Sequence, residues 1–207
     1  MSYSVRLKER NSNEVIKLPY SHIMTGGTYA AEYDNVTGEF YPRPMQDAWL
    51  NITYNYSHYY YEATEGDKRF AHDEVSAYYA DGTQGPIQTE YGIRGIYGKT
   101  GAESIPMLED MIKRIEEKYK KDGKWVTSIR DVTYYYDENG KEIPHDVVLS
   151  SILNNKEIKY TTIKQKEEIS EGPNPNYWTD TAANAIKPLY QLIAMAQLRP
   201  DGVWNGD

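Results

Sequence analysis

The chain has 207 residues, a formal net charge of −8 at pH 7 and 39% hydrophobic residues, and it contains no cysteine. Its length is sufficient for one domain with its own core. The negative charge argues against direct binding to duplex nucleic acid, which needs a basic face to replace the counterions of the phosphates. The missing cysteines exclude disulfides, thiolate catalysis and cysteine-ligated zinc.

A charged N-terminal stretch and the lack of any long apolar run predict a cytoplasmic protein that does not contact a membrane. There are 21 tyrosines and four tryptophans but only two phenylalanines. Tyrosine combines apolar area with a polar tip, so it suits half-buried sheets and recognition surfaces. We therefore expect tyrosine to supply much of the core, although the mean hydropathy is low.

The N-terminal half reads mainly as short strands. Alternating polarity predicts an opening hairpin, with strands at 3–8 and 15–18. The β-branched and aromatic run AWLNITYNYSHYYY at 48–61 predicts a longer strand. The other expected features are a strand at 28–33, a turn at 34–38, a loop or edge strand at 40–45, and loop over 62–90 with a short helix near 73–80.

The C-terminal half contains two predicted helices. The first spans 104–121 with Ser104 as N-cap, and the second spans 179–198 with Pro188 inside it. Between the two helices we expect a strand at 125–136, a hairpin turn at 137–140, a strand at 157–164 and an exposed linker at 164–176. After the second helix we expect a tail that packs back. The fold class is therefore α+β, with an antiparallel sheet and two main helices.

The segment YGIRGIYGKTGAES at 91–104 contains Gly-Lys-Thr before a predicted helix. A phosphate-binding P-loop needs glycine five positions before Gly98, where this chain has Ile93, and it needs a preceding buried strand. A P-loop is therefore excluded. The glycine-rich loop still leads to a helix N-terminus, where free N–H groups together with Arg94 and Lys99 can hold a phosphate or carboxylate. The alternative is an ordinary connection with solvated charges.

The second candidate site is the run at 48–61. Tyr54 and Tyr56 offer stacking faces, and Asn55 offers both a donor and an acceptor for a base edge or ribose. With Arg94, Lys99, Tyr97 and Thr100 they make a predicted ligand-binding set. The alternative is a tyrosine-rich face that simply packs against the core.

Catalytic and metal-binding patterns are weak. His22, His58, His72 and His145 are scattered, and neighbouring residues such as His72 and Asp73 should point to opposite faces of a strand. No nucleophile stands beside a matched base. We therefore predict no catalytic residue, no metal and no cofactor, and we favour a protein that is not an enzyme.

Five stretches together resemble a family of small uncharacterised proteins of phages and prophage-like regions. They are GGTY at 26–29, WLNITYNYS at 49–57, GIRGIYGKTGAESIPMLE at 92–109, NYWTDTAANA at 176–185 and AMAQLRPDGVWNGD at 194–207. Relative to shorter members of that family, residues 117–175 look like a β-rich insertion that forms an inserted subdomain. The resemblance implies a phage protein acting in the cytoplasm of the host cell, where such proteins often act on host machinery.

Two hypotheses follow. The first is a non-enzymatic protein that binds an anionic, nucleotide-like small molecule, such as a signal made by a host defence system. The second is an acidic protein–protein inhibitor of a host protein that serves defence or nucleic-acid processing, because an acidic surface can imitate a nucleic acid. The sequence leaves the formation of a homo-oligomer open.

Overall fold

The computed structural model describes residues 2–22, 31–33, 35–38, 40–42, 44–78, 83–144, 147–148, 151–152 and 156–207. The chain divides into two compact units, Met1–Trp125 with Gly172–Asp207, and Val126–Glu171. Antiparallel strands and helices occur together, so the predicted α+β class is confirmed. No helix among the described residues has the length and apolar character needed to cross a membrane.

The strands are numbered in chain order. They are β1 (Ser2–Lys8), β2 (Lys17–His22), β3 (Ala31–Tyr33), β4 (Phe40–Pro42), β5 (Met45–Asp47), β6 (Trp49–Thr53), β7 (Asp73–Tyr78), β8 (Gln84–Glu90), β9 (Lys120–Lys121), β10 (Lys124–Trp125), β11 (Thr127–Tyr136), β12 (Glu142–Ile143), β13 (Thr161–Ser170) and β14 (Val203–Asn205). The main helices are α1 (Ser57–Thr64), α2 (Gly101–Tyr119) and α3 (Ala182–Leu198), and two 3-10 helices span Tyr54–Tyr56 and Ile93–Ile96.

The central sheet of the first unit has the order β14-β1-β6, with both pairings antiparallel. The predicted tail therefore does pack back, and Trp204 in β14 is buried. The predicted opening hairpin is formed only in part. Lys8 bridges Val15, the Glu9 N–H donates to the Glu14 carbonyl and the Ile16 N–H to the Leu7 carbonyl, whereas β2 begins at Lys17 and pairs with β5.

The predicted strand at 48–61 is correct only as far as Thr53. The Thr53 side chain accepts a hydrogen bond from the Asn55 N–H and opens a 3-10 turn, after which α1 begins at Ser57. Tyr56, Tyr59 and Tyr60 are fully buried. Their spacing fits one face of a helix, and burial of that face outweighs the β-propensity of the individual residues.

Residues 73–90 form a hairpin rather than a loop with a short helix. Strands β7 and β8 pair antiparallel, with Asp73 opposite Glu90 and Val75 opposite Gln88. The connecting residues 79–82 lie outside the described part, as do residues 28–30 of the predicted strand at 28–33 and Asp34 of the predicted turn. Residues 40–42 form an edge strand in a two-stranded sheet, as one of the two predicted alternatives had it.

Helix α2 begins three residues earlier than predicted. Thr100, not Ser104, is its N-cap, and Thr100 and Glu103 form a capping box in which each side chain bonds the other residue's backbone N–H. Ser104 lies inside the helix and is buried, where its hydroxyl donates to the Gly101 carbonyl and accepts from Trp204 Nε1.

Helix α3 begins at Ala182 and contains Pro188, close to the prediction. Two residues of this helix, Tyr190 and Ala194, are exposed. Inside the first unit α2 and α3 pack together, and the core contains the inward faces of β1, β6 and α1. This core supports the 3-10 turns and loops that carry the site described below.

The second unit is a ribbon in which β11 pairs with β13 along ten residue pairs and with β12 across a turn. The predicted turn at 137–140 is confirmed, and the Asp137 carboxylate accepts from the Asn139 and Lys141 N–H groups. The linker predicted at 164–176 is wrong for 164–170, which belong to β13. Most of its side chains are exposed, and an antiparallel strand that faces solvent tolerates many polar residues. Residues 117–125 of the predicted insertion belong to the first unit.

Candidate functional site

Two cavities in the first unit share Arg94 and His72 in their walls. The first has a volume of about 360 Å³, and four tyrosines line it. The second has a volume of about 580 Å³, and four of the eleven residues that line it are lysine or arginine. We call them the aromatic cavity and the cationic cavity. Both volumes fall in the range typical of small-molecule sites.

Separate elements bring the walls of the aromatic cavity together. Tyr3 comes from β1, Tyr54 from the 3-10 turn after β6, Tyr61 from α1, and Tyr91 from the residue after β8. The Tyr3 hydroxyl donates to Ser57 Oγ across 2.7 Å, which fixes that ring. Burial raises the pKa of Tyr3, with the hydrogen bond to Ser57 and the charge of Arg94 opposing the rise, so the hydroxyl keeps its proton at neutral pH. Gln88, Thr89 and Glu90 supply polar groups at the rim.

The Arg94 guanidinium lies to one side of a contacting pair of tyrosine rings, Tyr3 and Tyr54, whose centroids are 4.4 Å apart. It stands 5.3 Å from the ring centroid of Tyr3 and 5.8 Å from that of Tyr54. Its Nη2 donates to the Tyr54 hydroxyl across 2.9 Å, and its Nε donates to the main-chain oxygen of Asp207 across 2.9 Å. These contacts orient the group, while Nη1 has no hydrogen-bond acceptor among the described residues.

Two glycines allow the chain to place Arg94 there. Gly92 has φ of 133° and ψ of −156°, a region that only glycine adopts at low cost. Gly95 packs directly on the backbone of Phe70. The glycine-rich segment therefore shapes a tight 3-10 turn, Ile93–Ile96, that projects Arg94 between the two cavities.

The cationic cavity concentrates positive charge in a protein whose net charge is −8. Lys68, Arg69, Arg94 and Lys99 line it, along with the acidic residues Asp73 and Asp207. Arg69 is paired with Asp67 and Asp110. By contrast, Lys68 and Lys99 form no ion pair within the described part of the chain, so their charge is available to a ligand.

Tyr97 also lines the cationic cavity. Its hydroxyl is buried and has no hydrogen-bond partner among the residues that the structure describes. It lies directly beneath Gly206, where an added Cβ would stand 2.2 Å from the hydroxyl oxygen. Burial raises the pKa of Tyr97 well above its usual range, so this group is a neutral donor.

His72, Asp73 and Glu90 meet between the cavities. One ligand atom from each lies within 4.8 Å of the others, which makes a group of the size that holds a metal ion. The His72 side chain is only 11% exposed, and its Nε2 stands 3.5 Å from Glu90 Oε2. The sequence argument against a metal site assumed that His72 and Asp73 share a strand, but β7 begins at Asp73 and His72 precedes it.

The structure separates the predicted ligand-binding set into two groups. Tyr54, Arg94, Tyr97 and Lys99 line the cavities. Tyr56 is part of the core, and its hydroxyl donates to the Tyr177 carbonyl. Asn55 turns away and donates to the Trp178 carbonyl across 2.9 Å. Thr100 caps α2.

The N-terminus of α2 does not offer the free N–H groups that the sequence argument required. The Thr100 N–H donates to Glu103 Oε2 and the Glu103 N–H to Thr100 Oγ1. The Gly101 and Ala102 N–H groups donate to the carbonyls of Gly202 and Pro200. The end of the helix is therefore satisfied from within the protein, and an anion would have to be bound by side chains.

Sequence reasoning missed Tyr3, Tyr61, Lys68, His72, Glu90 and Tyr91 as lining residues. Tyr91 is the first residue of the glycine-rich segment and Glu90 directly precedes it, so that segment was the available signal for both residues. The sequence contains no such signal for Tyr3 and Tyr61. The position of Tyr3 depends on which strand pairs with β1, and that of Tyr61 depends on α1 being a helix.

Comparison with known proteins found no matching family model, no matching curated protein and no matching solved structure.

Proposed function

We propose that the protein binds an anionic, nucleotide-like small molecule, with an aromatic group in the aromatic cavity and a phosphate or carboxylate in the cationic cavity. The observation that carries the proposal is the position of Arg94. Arg94 lines both cavities. Two hydrogen bonds, from Nε and Nη2, hold its guanidinium in place and leave Nη1 able to donate to a ligand. A molecule that fills both cavities therefore passes this guanidinium, which suits a phosphate or carboxylate.

The aromatic cavity supports a planar group. Tyr54, Tyr61 and Tyr91 present ring faces or edges, and stacking of a base on such a ring contributes about 1–3 kcal/mol. Glu90 and Gln88 at the rim supply an acceptor and an amide for base or ribose hydroxyl groups. The cavity is small enough to hold one base or a similar ring.

The cationic cavity supports the charged part. Lys68 and Lys99 add two ammonium groups to Arg94, and both are free of ion pairs within the described residues. Four basic side chains against two acidic ones leave the lining of this cavity net positive, although the protein as a whole carries a charge of −8. In line with the resemblance to phage proteins, we propose that the bound molecule is a signal of a host defence system. By binding it, the protein would keep the signal from its receptor.

A thermal-shift screen tests the proposal. The ligands are AMP, ADP, ADP-ribose and cyclic dinucleotides, with adenosine and inorganic phosphate as single-part controls. A ligand at one hundred times its dissociation constant stabilises the folded protein by about 2.7 kcal/mol. That raises Tm by roughly 5–11 °C for a protein of this size. Adenosine and phosphate, which each fill one cavity, should give much smaller shifts.

Two substitutions assign the site by calorimetric titration of the strongest ligand. Arg94→Ala and Lys99→Ala should each lower affinity tenfold or more. Arg10→Ala and Lys124→Ala, which remove exposed charges away from the cavities, should leave it unchanged. Unchanged affinity in both cavity variants would remove the assignment. A screen without any shift would reject the proposal and favour the acidic protein–protein inhibitor.

A further inference from the structure

We propose that His72, Asp73 and Glu90 bind one divalent transition-metal ion at the boundary of the two cavities. One imidazole and two carboxylates form a mixed nitrogen and oxygen set of the kind that Zn²⁺ and Mn²⁺ accept. Metal binding by these residues does not require the proposed nucleotide-like ligand, so the two proposals stand or fall separately.

The orientation of His72 is the first observation in support. Its Nδ1 lies 3.2 Å from the Phe70 carbonyl oxygen, to which only a protonated Nδ1 can donate. In the neutral imidazole the lone pair is then on Nε2, which faces Glu90. A histidine that binds metal through one nitrogen usually donates from the other to a carbonyl or carboxylate in this way.

The distance between His72 and Glu90 is the second observation. Nε2 and Oε2 are 3.5 Å apart, whereas a charge-assisted hydrogen bond between them would span about 2.7–2.9 Å. Two ligands on one tetrahedral Zn²⁺, each bonded at about 2.0–2.1 Å, lie roughly 3.4 Å apart. The observed separation is close to that value, so these two atoms can bond one shared ion without a large movement.

Two features of the backbone hold the three metal-binding side chains in place, namely the pairing of β7 with β8 and the hydrogen bonds of His72. Asp73 and Glu90 are opposite each other in the β7–β8 ladder, so their spacing is fixed by strand pairing. His72 is held by its own N–H, which donates to the Glu90 carbonyl across 3.1 Å, and by its ring contact with Phe70. Because His72 lines both cavities, open coordination positions on the ion would face a bound ligand.

The test is calorimetric titration of Zn²⁺ into the full chain at pH 7.5, with no affinity tag and no nucleotide. We expect one equivalent of Zn²⁺ per chain and weaker binding of Mn²⁺, as the usual order of metal affinities requires. Glu90→Gln and His72→Gln should each weaken Zn²⁺ binding tenfold or more. Glu74→Gln is the matched control, since Glu74 is exposed next to Asp73 but is not in the ligand group.

A spectroscopic measurement keeps the test independent of variant folding. In protein labelled with ¹⁵N at histidine, Zn²⁺ should shift the Nε2 resonance of His72 while Nδ1 retains its proton. The proposal is overturned if the wild-type chain binds no Zn²⁺, if binding is equal in wild type and in Glu90→Gln, or if the His72 resonances do not respond. Nucleotide affinity does not enter any of these outcomes.

Discussion

Gly95 lies against the backbone of Phe70 so closely that a Cβ on Gly95 would stand 2.5 Å from Phe70 Cα and 2.8 Å from its carbonyl oxygen. That carbonyl is the acceptor that faces the His72 ring. Gly95 is also the neighbour of Arg94 in the 3-10 turn. One close approach of backbone to backbone therefore sets the positions of the two residues that both cavities share.

We predict that Gly95→Ala lowers the free energy of unfolding by about 3 kcal/mol, because the added methyl group meets rigid backbone atoms. Gly98→Ala is the matched comparison. Gly98 has open space around it but φ of 77°, so its substitution should cost only about 1 kcal/mol. Denaturant unfolding of both variants measures the difference. Equal losses would show that the contact with Phe70 relaxes at little cost.

A second prediction concerns Thr100, which the Gly-Lys-Thr pattern marks as a ligand residue and which the structure places as the cap of α2. Thr100→Ala should lower stability by about 1 kcal/mol and leave nucleotide affinity unchanged. Thr100→Ser keeps the hydroxyl and should restore stability. Thermal unfolding and calorimetric titration separate the two roles. If Thr100→Ala lost nucleotide affinity tenfold at unchanged stability, Thr100 would be a ligand-binding residue and not only the cap of α2.

The sequence was sufficient where local pattern and tertiary burial agree. A helix over most of α2, the turn at Asp137 and the returning tail with Trp204 were all predicted. It failed at 54–61, where aromatic residues indicate a strand although their buried subset has helical spacing. Propensity there is a weak effect, and burial of three tyrosines decides the outcome.

The candidate site shows the same limit. Tyr54 and Arg94 were predicted to act together, and they do contact each other. Tyr56 was grouped with Tyr54 because alternate residues of an extended chain share a face, but after the 3-10 turn Tyr56 lies in the core, and Asn55 donates to the Trp178 carbonyl. His72 and Glu90 are 18 positions apart in the sequence, and only the β7–β8 pairing brings them together.

A third prediction tests how Arg94 is oriented. Tyr54→Phe keeps the ring beside the guanidinium but removes the hydroxyl that accepts from Nη2. We expect nucleotide affinity to fall about tenfold, since a hydrogen bond to a charged group contributes about 1.5–3 kcal/mol. Tyr20→Phe, at an exposed tyrosine, is the control and should have no effect. Calorimetric titration measures both. An unchanged affinity in Tyr54→Phe would mean that ring packing and the hydrogen bond to Asp207 are enough to orient Arg94.

The last prediction concerns acid stability and the network of Asp67, Asp110, Arg69 and Arg114. Hydrogen bonds from Arg69 and Arg114 lower the pKa of the Asp67 carboxyl well below its usual range. Partial burial raises the pKa of Asp110, but its bonds to the same two arginines outweigh that effect and lower it. The network links Asp67 and Arg69, which lie between α1 and β7, to Asp110 and Arg114 on α2.

A depressed carboxyl pKa stabilises the folded state above the unfolded pKa, which is about 3.9 for aspartate, and the stabilisation is lost as pH falls through the folded pKa. We therefore expect Asp67→Asn to be less stable than wild type by about 1–2 kcal/mol at pH 7, with the difference shrinking progressively below pH about 4. Urea unfolding at pH 7, 4 and 2.5 measures it. Glu109→Gln, an exposed neighbour on α2, should track wild type at every pH. A difference between Asp67→Asn and wild type that stays constant down to pH 2.5 would show that the network acts through packing rather than charge.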